Sequence, residues 1–113
     1  DGTGGVAGDD AGGRCLTVAH RAGVGVQLND DVLFGEVWAR EDELDLKTRS
    51  IITVTCLVSK GLVDTSFQYH LASAKANGVT KEEMAAILTQ LTFYAGWPNA
   101  WAAFRMAKEV YND

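Results

Sequence analysis

A nine-residue stretch, Phe93-Tyr94-Ala95-Gly96-Trp97-Pro98-Asn99-Ala100-Trp101, constrains the fold of this chain more than any other. It holds the only proline and two of the three tryptophans, and it separates two segments with helical periodicity. Gly96 can take the left-handed backbone that closes a helix, the proline holds Trp97 extended, and Pro98 suits the first turn of a new helix. The stretch therefore reads as a helix-to-helix corner. Its aromatics either pack round a tight turn, as core or interface, or floor a pocket, and the second reading requires a reactive group nearby.

At 113 residues, 47% of them apolar, the chain is sized for one folded body with a real core. Fifteen acids against ten bases give a net charge of −5. That balance offers no general attraction to phosphate backbones or anionic lipid, so neither nucleic acid nor a membrane is expected as a partner. No apolar run approaches the ~18 residues of a spanning helix, and no charged-then-apolar leader opens the chain. A soluble, cytoplasmic protein is the expectation. Cys15 and Cys56 form no C-x-x-C and read as free thiols, although sequence alone leaves a bridge between them open.

Residues 1–28 differ in kind from the rest: they carry eight of the twelve glycines and neither lysine nor aromatic residue. The expectation is an irregular, glycine-rich arm lying on the body or on a neighbouring subunit, with Leu16–His20 as a short strand within it and His20 as a surface residue. From 29 to 113 the pattern is helical. Asn29 or Asp30 caps a first helix to about Arg40, with Leu33, Phe34, Val37 and Trp38 on one side. Asp45 caps a second over Leu46 to Lys60, stopped by Gly61. Its β-branched run, Ile51 to Thr55, suits a strand on propensity, but its length and end signals favour a buried, central helix with almost no wet face in its second half.

Asp64 opens a third helix with Phe67, His70, Leu71 and Ala74 on one face, and Gly78 ends it. Thr80 and Glu83 form a capping box for a fourth, which carries Met84, Ile87, Leu88, Leu91 and Ala95 into the corner. Beyond Pro98 a fifth helix buries Ala100, Ala103, Phe104, Ala107 and Val110 or Tyr111. The fold class is all-α, a compact bundle of about five helices, and so apolar a second helix hints at burial by more than one chain.

Phosphate-binding loops, dinucleotide fingerprints, H-E-x-x-H, EF-hand loops and G-x-S-x-G are all absent from the sequence, and no metal site is expected. What remains is the inward His70, basic side chains near helix ends, and the aromatic corner. By itself His70 reads as a satisfied core histidine before it reads as a catalyst. Arg49 reads as the partner of an acid, Glu36 as part of a solvated face, and Trp97 and Trp101 as core or interface.

From Phe34 onward, over about 80 of the 113 residues, the chain resembles the carboxymuconolactone decarboxylase family, which includes alkylhydroperoxidase D-like proteins. The resemblance rests on Phe34-Gly35-Glu36-Val37-Trp38 with Leu46-Lys47-Thr48-Arg49-Ser50, on His70-Leu71-Ala72-Ser73-Ala74, on Asn77 to Glu83, and on Tyr94-Ala95-Gly96-Trp97-Pro98. It implies a helical subunit in a ring-like homo-oligomer, a trimer or hexamer, with the pocket near subunit contacts. Peroxidase-type members carry C-x-x-C where this chain has Ser66-Phe67-Gln68-Tyr69, whereas His70 matches the decarboxylase-type pattern. Ala86 stands where the family often has glutamate, and residues 1–28 do not look like its usual N-terminal helix.

The implied activity is that of a carboxy-lyase needing no cofactor, acting on a carboxylated γ-lactone from aromatic-compound catabolism. His70 serves as proton donor or oxyanion partner, Glu36 orients it, Arg49 clamps a carboxylate, and backbone donors after Pro98 meet the oxyanion. Trp38, Tyr94, Trp97 and Pro98 line the substrate. The alternatives are a non-catalytic small-molecule-binding member and a peroxidase that would depend on Cys56.

Overall fold

The computed structural model describes residues 18–112, with side chains from Gly23 onward. Cys15, Leu16, Thr17 and the greater part of the expected arm lie outside that range, as does the side chain of His20. Along the chain, two compact units divide between Arg40 and Glu41. All the regular structure described is helical.

In the first unit, α1 (Val18–Leu28) runs without a break into π-helical turns over Asn29–Val37. This corrects two expectations: residues 18–28 are helical rather than irregular, and neither Asn29 nor Asp30 caps the start of a helix. Leu28 is already in right-handed helical geometry, with φ −62° and ψ −40°, and no side chain caps the junction. The wider turn is visible in the bond from Trp38 N–H to Leu33 carbonyl, 2.8 Å across five residues. At Gly35 an added Cβ would lie 3.1 Å from the Asp30 carbonyl oxygen, a tight approach that the bare glycine relieves. Phe34 and Trp38 stack at 5.9 Å. None of the described side chains in this unit is buried, and Val26 and Leu28 are more than half exposed.

The second unit is built from α2 (Leu46–Ser59), α3 (Thr65–Ala76), α4 (Lys81–Tyr94) and α5 (Trp97–Val110). The start signals act as the sequence implies. Asp45 accepts from the Thr48 N–H, Asp64 from the N–H groups of Ser66 and Phe67, and Thr80 and Glu83 close a reciprocal capping box. The β-branched residues of α2 are tolerated because the burial of Val54 and Val58 outweighs a small loss of helix propensity. In addition, the Thr53 hydroxyl is satisfied by the Arg49 carbonyl at 2.9 Å.

Val54 and Val58 from α2, Phe67, Leu71 and Ala74 from α3, Met84 and Leu88 from α4, and Ala103 from α5 form a shared core at essentially zero exposure. Each of the larger side chains contributes about 1.5–3 kcal/mol through burial. The second half of α2 is not dry on every side, however, because Ile52 is 51% exposed and Cys56 is also exposed.

Polar contacts fix how the helices run past one another. At one end, Asn77 Nδ2 donates to the buried Ser50 Oγ at 2.9 Å, Lys47 pairs with Glu83 at 2.8 Å, and Lys75 Nζ reaches the Val110 carbonyl at 3.1 Å. At the other, Gly61, at φ +74°, sits against the Asn99 side chain. The four helices therefore alternate in direction. The α2–α3 link and the α4–α5 corner share one end of the bundle, and the starts of α2 and α4 share the other.

The end of α5 is latched by Tyr111, whose hydroxyl donates to the Val79 carbonyl at 2.7 Å within the core. Tyr111→Phe leaves that buried carbonyl without a donor and is expected to cost about 1–2 kcal/mol. A lowered urea midpoint with unchanged slope checks this, and a midpoint identical to wild type would contradict it.

Candidate functional site

His70 is placed by its neighbours. Phe67 and Leu71 are fully buried, so a side chain one position before Leu71 falls about 100° round the helix from it, at the edge of the core. The imidazole is accordingly half-buried. It meets the Tyr69 ring edge-on at 5.2 Å and has no hydrogen bond to a described residue. Partial burial holds its pKa below the usual histidine value of 6.5, because the charged ring loses hydration that nothing beside it replaces. It is neither sealed among aliphatic side chains nor exposed.

The aromatic corner lies at the end of the bundle where α3 begins, five residues, or about 7.5 Å of helix, before His70. Gly96, at φ +95° and ψ 145°, turns the chain, and Trp97 is itself the first residue of α5, so the extended Trp97 expected ahead of Pro98 is not observed. The proline costs nothing there, since first-turn N–H groups have no intrahelical acceptor. The aromatics are not core within this chain: Phe93 is 83% exposed, Tyr94 81% and Trp97 62%, with Trp97 stacked on Trp101 at 5.8 Å. Unlike α2, α3 and α4, α5 begins without a side-chain cap, leaving its first-turn donors beside Trp97 open.

Arg49 lies elsewhere. Its Nε donates to the Leu44 carbonyl at 3.1 Å near the start of α2. Ser50 pairs with Asn77 across the antiparallel α2–α3 seam, so Arg49 sits roughly seven residues, or about 10 Å, further along that seam than His70. Glu36, exposed, and Trp38, half-buried, belong to the first unit. Ala86 lines a hollow of about 370 Å³ with Ile51, Thr55 and Leu91, on the side of α4 facing α2. Among the described residues no group of three His, Cys, Asp or Glu gathers as a metal site would require. Sequence reasoning passed over Ser50, although its spacing with Val54 and Val58 puts it on the buried stripe of α2. It also passed over Asn99, which bonds the Ala95 carbonyl at 3.1 Å and steadies the corner.

The carboxymuconolactone decarboxylase family model matches residues 26–109. The chain belongs to that family. It is 40% identical over 80 residues to a 4-carboxymuconolactone decarboxylase from Acinetobacter baylyi, covering 71% of this chain and 58% of the relative. It is also 32% identical over 84 residues to an uncharacterized 15.0 kDa protein of the nqo9-nqo10 intergenic region in Paracoccus denitrificans, covering 74% and 62%. The chain thus spans about three fifths of the length of the curated relatives it matches. No solved structure matches it. Membership accounts for the capped helices and the Gly96 corner falling within one continuous match.

The depressed pKa of His70 makes a signed prediction. A histidine whose folded pKa lies below its unfolded value contributes stability that is complete above the unfolded pKa and is lost as pH falls through the folded one. Chemical denaturation at pH 7.5 and at pH 5.5 is expected to show wild type losing more stability than His70→Gln over that interval. The opposite ordering would mean that the folded state favours the charged ring.

Proposed function

We propose that the chain acts in cofactor-free decarboxylation of a carboxylated γ-lactone from aromatic-compound catabolism, in the cytoplasm. The observation that carries this reading is a half-buried imidazole, His70, without a hydrogen-bond partner among the described residues, on the helix that begins at the end of the bundle where the uncapped start of α5 and the exposed Tyr94, Trp97 and Pro98 lie. Family membership and the 40% identity to a named decarboxylase support it.

In such a reaction the bond from ring carbon to carboxylate breaks, carbon dioxide leaves, and the electron pair enters the conjugated lactone as a dienolate. A proton then returns to carbon. The substrate is its own electron sink, so the protein has to bind two negative charges, stabilise the developing oxyanion and deliver one proton. Open N–H groups at the start of α5, at the positive end of its dipole, suit the oxyanion. Trp97 and Tyr94 offer flat apolar area to the ring.

His70 is neutral at pH 7 in the free chain, so its first role is that of an N–H donor to the oxyanion. A bound dianion raises its proton affinity and allows it to carry the proton to carbon. Arg49, two turns away, clamps the distal carboxylate, and Glu36 orients the imidazole where protomers meet. A ring-like homo-oligomer, trimer or hexamer, would cover the exposed Ile52, Phe93 and Tyr94, which a lone chain leaves to water.

A second reading, a family member that binds a small carboxylate without turnover, is favoured by Ala86, which puts a methyl group in the hollow beside Ile51 and Thr55 where the family often has a glutamate. Carbon dioxide release from a 4-carboxymuconolactone separates the two. Wild type is expected to release it, and His70→Gln to lose at least ~100-fold in kcat while keeping its oligomeric state. Saturable binding with no carbon dioxide would leave the second reading. The profile of kcat/KM is expected to be flat above pH 6.5 and to fall on the acid side as the free imidazole charges. A fall on the alkaline side near neutrality would instead require an imidazolium in the free enzyme.

A further inference from the structure

The end of the bundle away from the Gly96 corner holds a hollow that this chemistry does not use. Between α4 and α5, a half-open cavity of about 120 Å³ is floored by Met84, Leu88, Phe104 and Ala107, with Ala85 at its edge. The exposed wall is almost wholly apolar. Even its one hydroxyl, that of Tyr111, is committed to the Val79 carbonyl and presents only the ring.

Two cations stand at the rim. Lys81 opens α4 and Lys108 lies in the last turn of α5, and both line the hollow. Neither ammonium has a hydrogen bond or ion pair with a described residue. Of the acids close in sequence, Glu83 is paired with Lys47 at 2.8 Å, and neither Glu82 nor Glu109 lines the cavity. In a chain of net charge −5, an oily hollow flanked by two unmatched positive charges selects for an amphiphile with one negative head.

Size narrows the class. Dry cavities of about 150 Å³ accept a benzene ring, and this one is comparable and open on one side, which leaves a substituent free to reach the rim. We propose that the α4–α5 hollow binds a monocarboxylate of benzoate size, its ring on Met84, Leu88 and Phe104 and its carboxylate between Lys81 and Lys108. The site is separate from the one assigned to His70, so it stands or falls on its own.

The test is a titration of the isotope-labelled full chain with benzoate, followed by NMR. Saturable shifts are expected at the Met84 and Leu88 methyls and the Phe104 ring. The dissociation constant is expected to rise about five-fold or more when both lysines become glutamine, K81Q with K108Q, since two rim charges are lost. Ala85→Leu, at an exposed position, fills the edge and is expected to abolish those shifts, while His70→Gln leaves the dissociation constant unchanged. Benzyl alcohol, the same ring without the charge, is expected to bind more weakly than benzoate. Equal response to benzyl alcohol, unchanged affinity in the double lysine variant, or shifts confined to residues around His70 would each overturn the assignment.

Discussion

The burial of Phe67 and Leu71 in the seam between α2 and α5 is the constraint from which the rest of the C-terminal unit follows. With both side chains at zero exposure, α3 has no rotational freedom, and every other side chain on it takes its place from that setting. His70 is half-buried because Leu71 is fully buried. Its depressed pKa follows in turn, from a ring that has lost part of its hydration and gained the edge of Tyr69 in place of a hydrogen-bond partner. One packing choice therefore sets the position of the imidazole and its charge at neutral pH.

The corner at Gly96 is the complementary constraint. With φ at +95°, it directs α5 back along the bundle from the same end at which α3 begins. The Asn99 side chain, lying against Gly61 and bonded to the Ala95 carbonyl, holds the two links at that end together. No other helix of the unit begins uncapped and among exposed aromatics. Apolar area and open backbone donors gather at that end, and the His70 imidazole lies about one and a half turns further along α3.

How much of this the sequence discloses depends on the locality of the signal. Asp45, Asp64, Thr80 with Glu83, Gly61 and Gly78 act within a few residues of themselves, and each begins or ends its helix as its chemistry dictates. The helix over Val18–Leu28 is illegible for the same reason. Gly23 and Gly25 depress its propensity, no cap announces it, and it passes into wide turns that no short pattern marks. Trp97 defeats local reasoning in another way, since it enters the helix despite the proline after it. The inward face of His70 is legible from its spacing with Phe67 and Ala74, but its distance from Arg49 is not. That distance depends on the register of the α2–α3 seam, which Ser50 and Asn77 set across 27 residues of sequence.

The account rests on the Gly96 end of the bundle being where the guest sits. A saturated, non-reacting lactone dicarboxylate bound to the labelled protein would report this through intermolecular nuclear Overhauser effects. The account predicts cross-peaks from the ligand's ring protons to the His70 imidazole and the Trp97 indole. Cross-peaks confined to side chains at the opposite end, around Asn77 and Lys47, with none to His70, would contradict it.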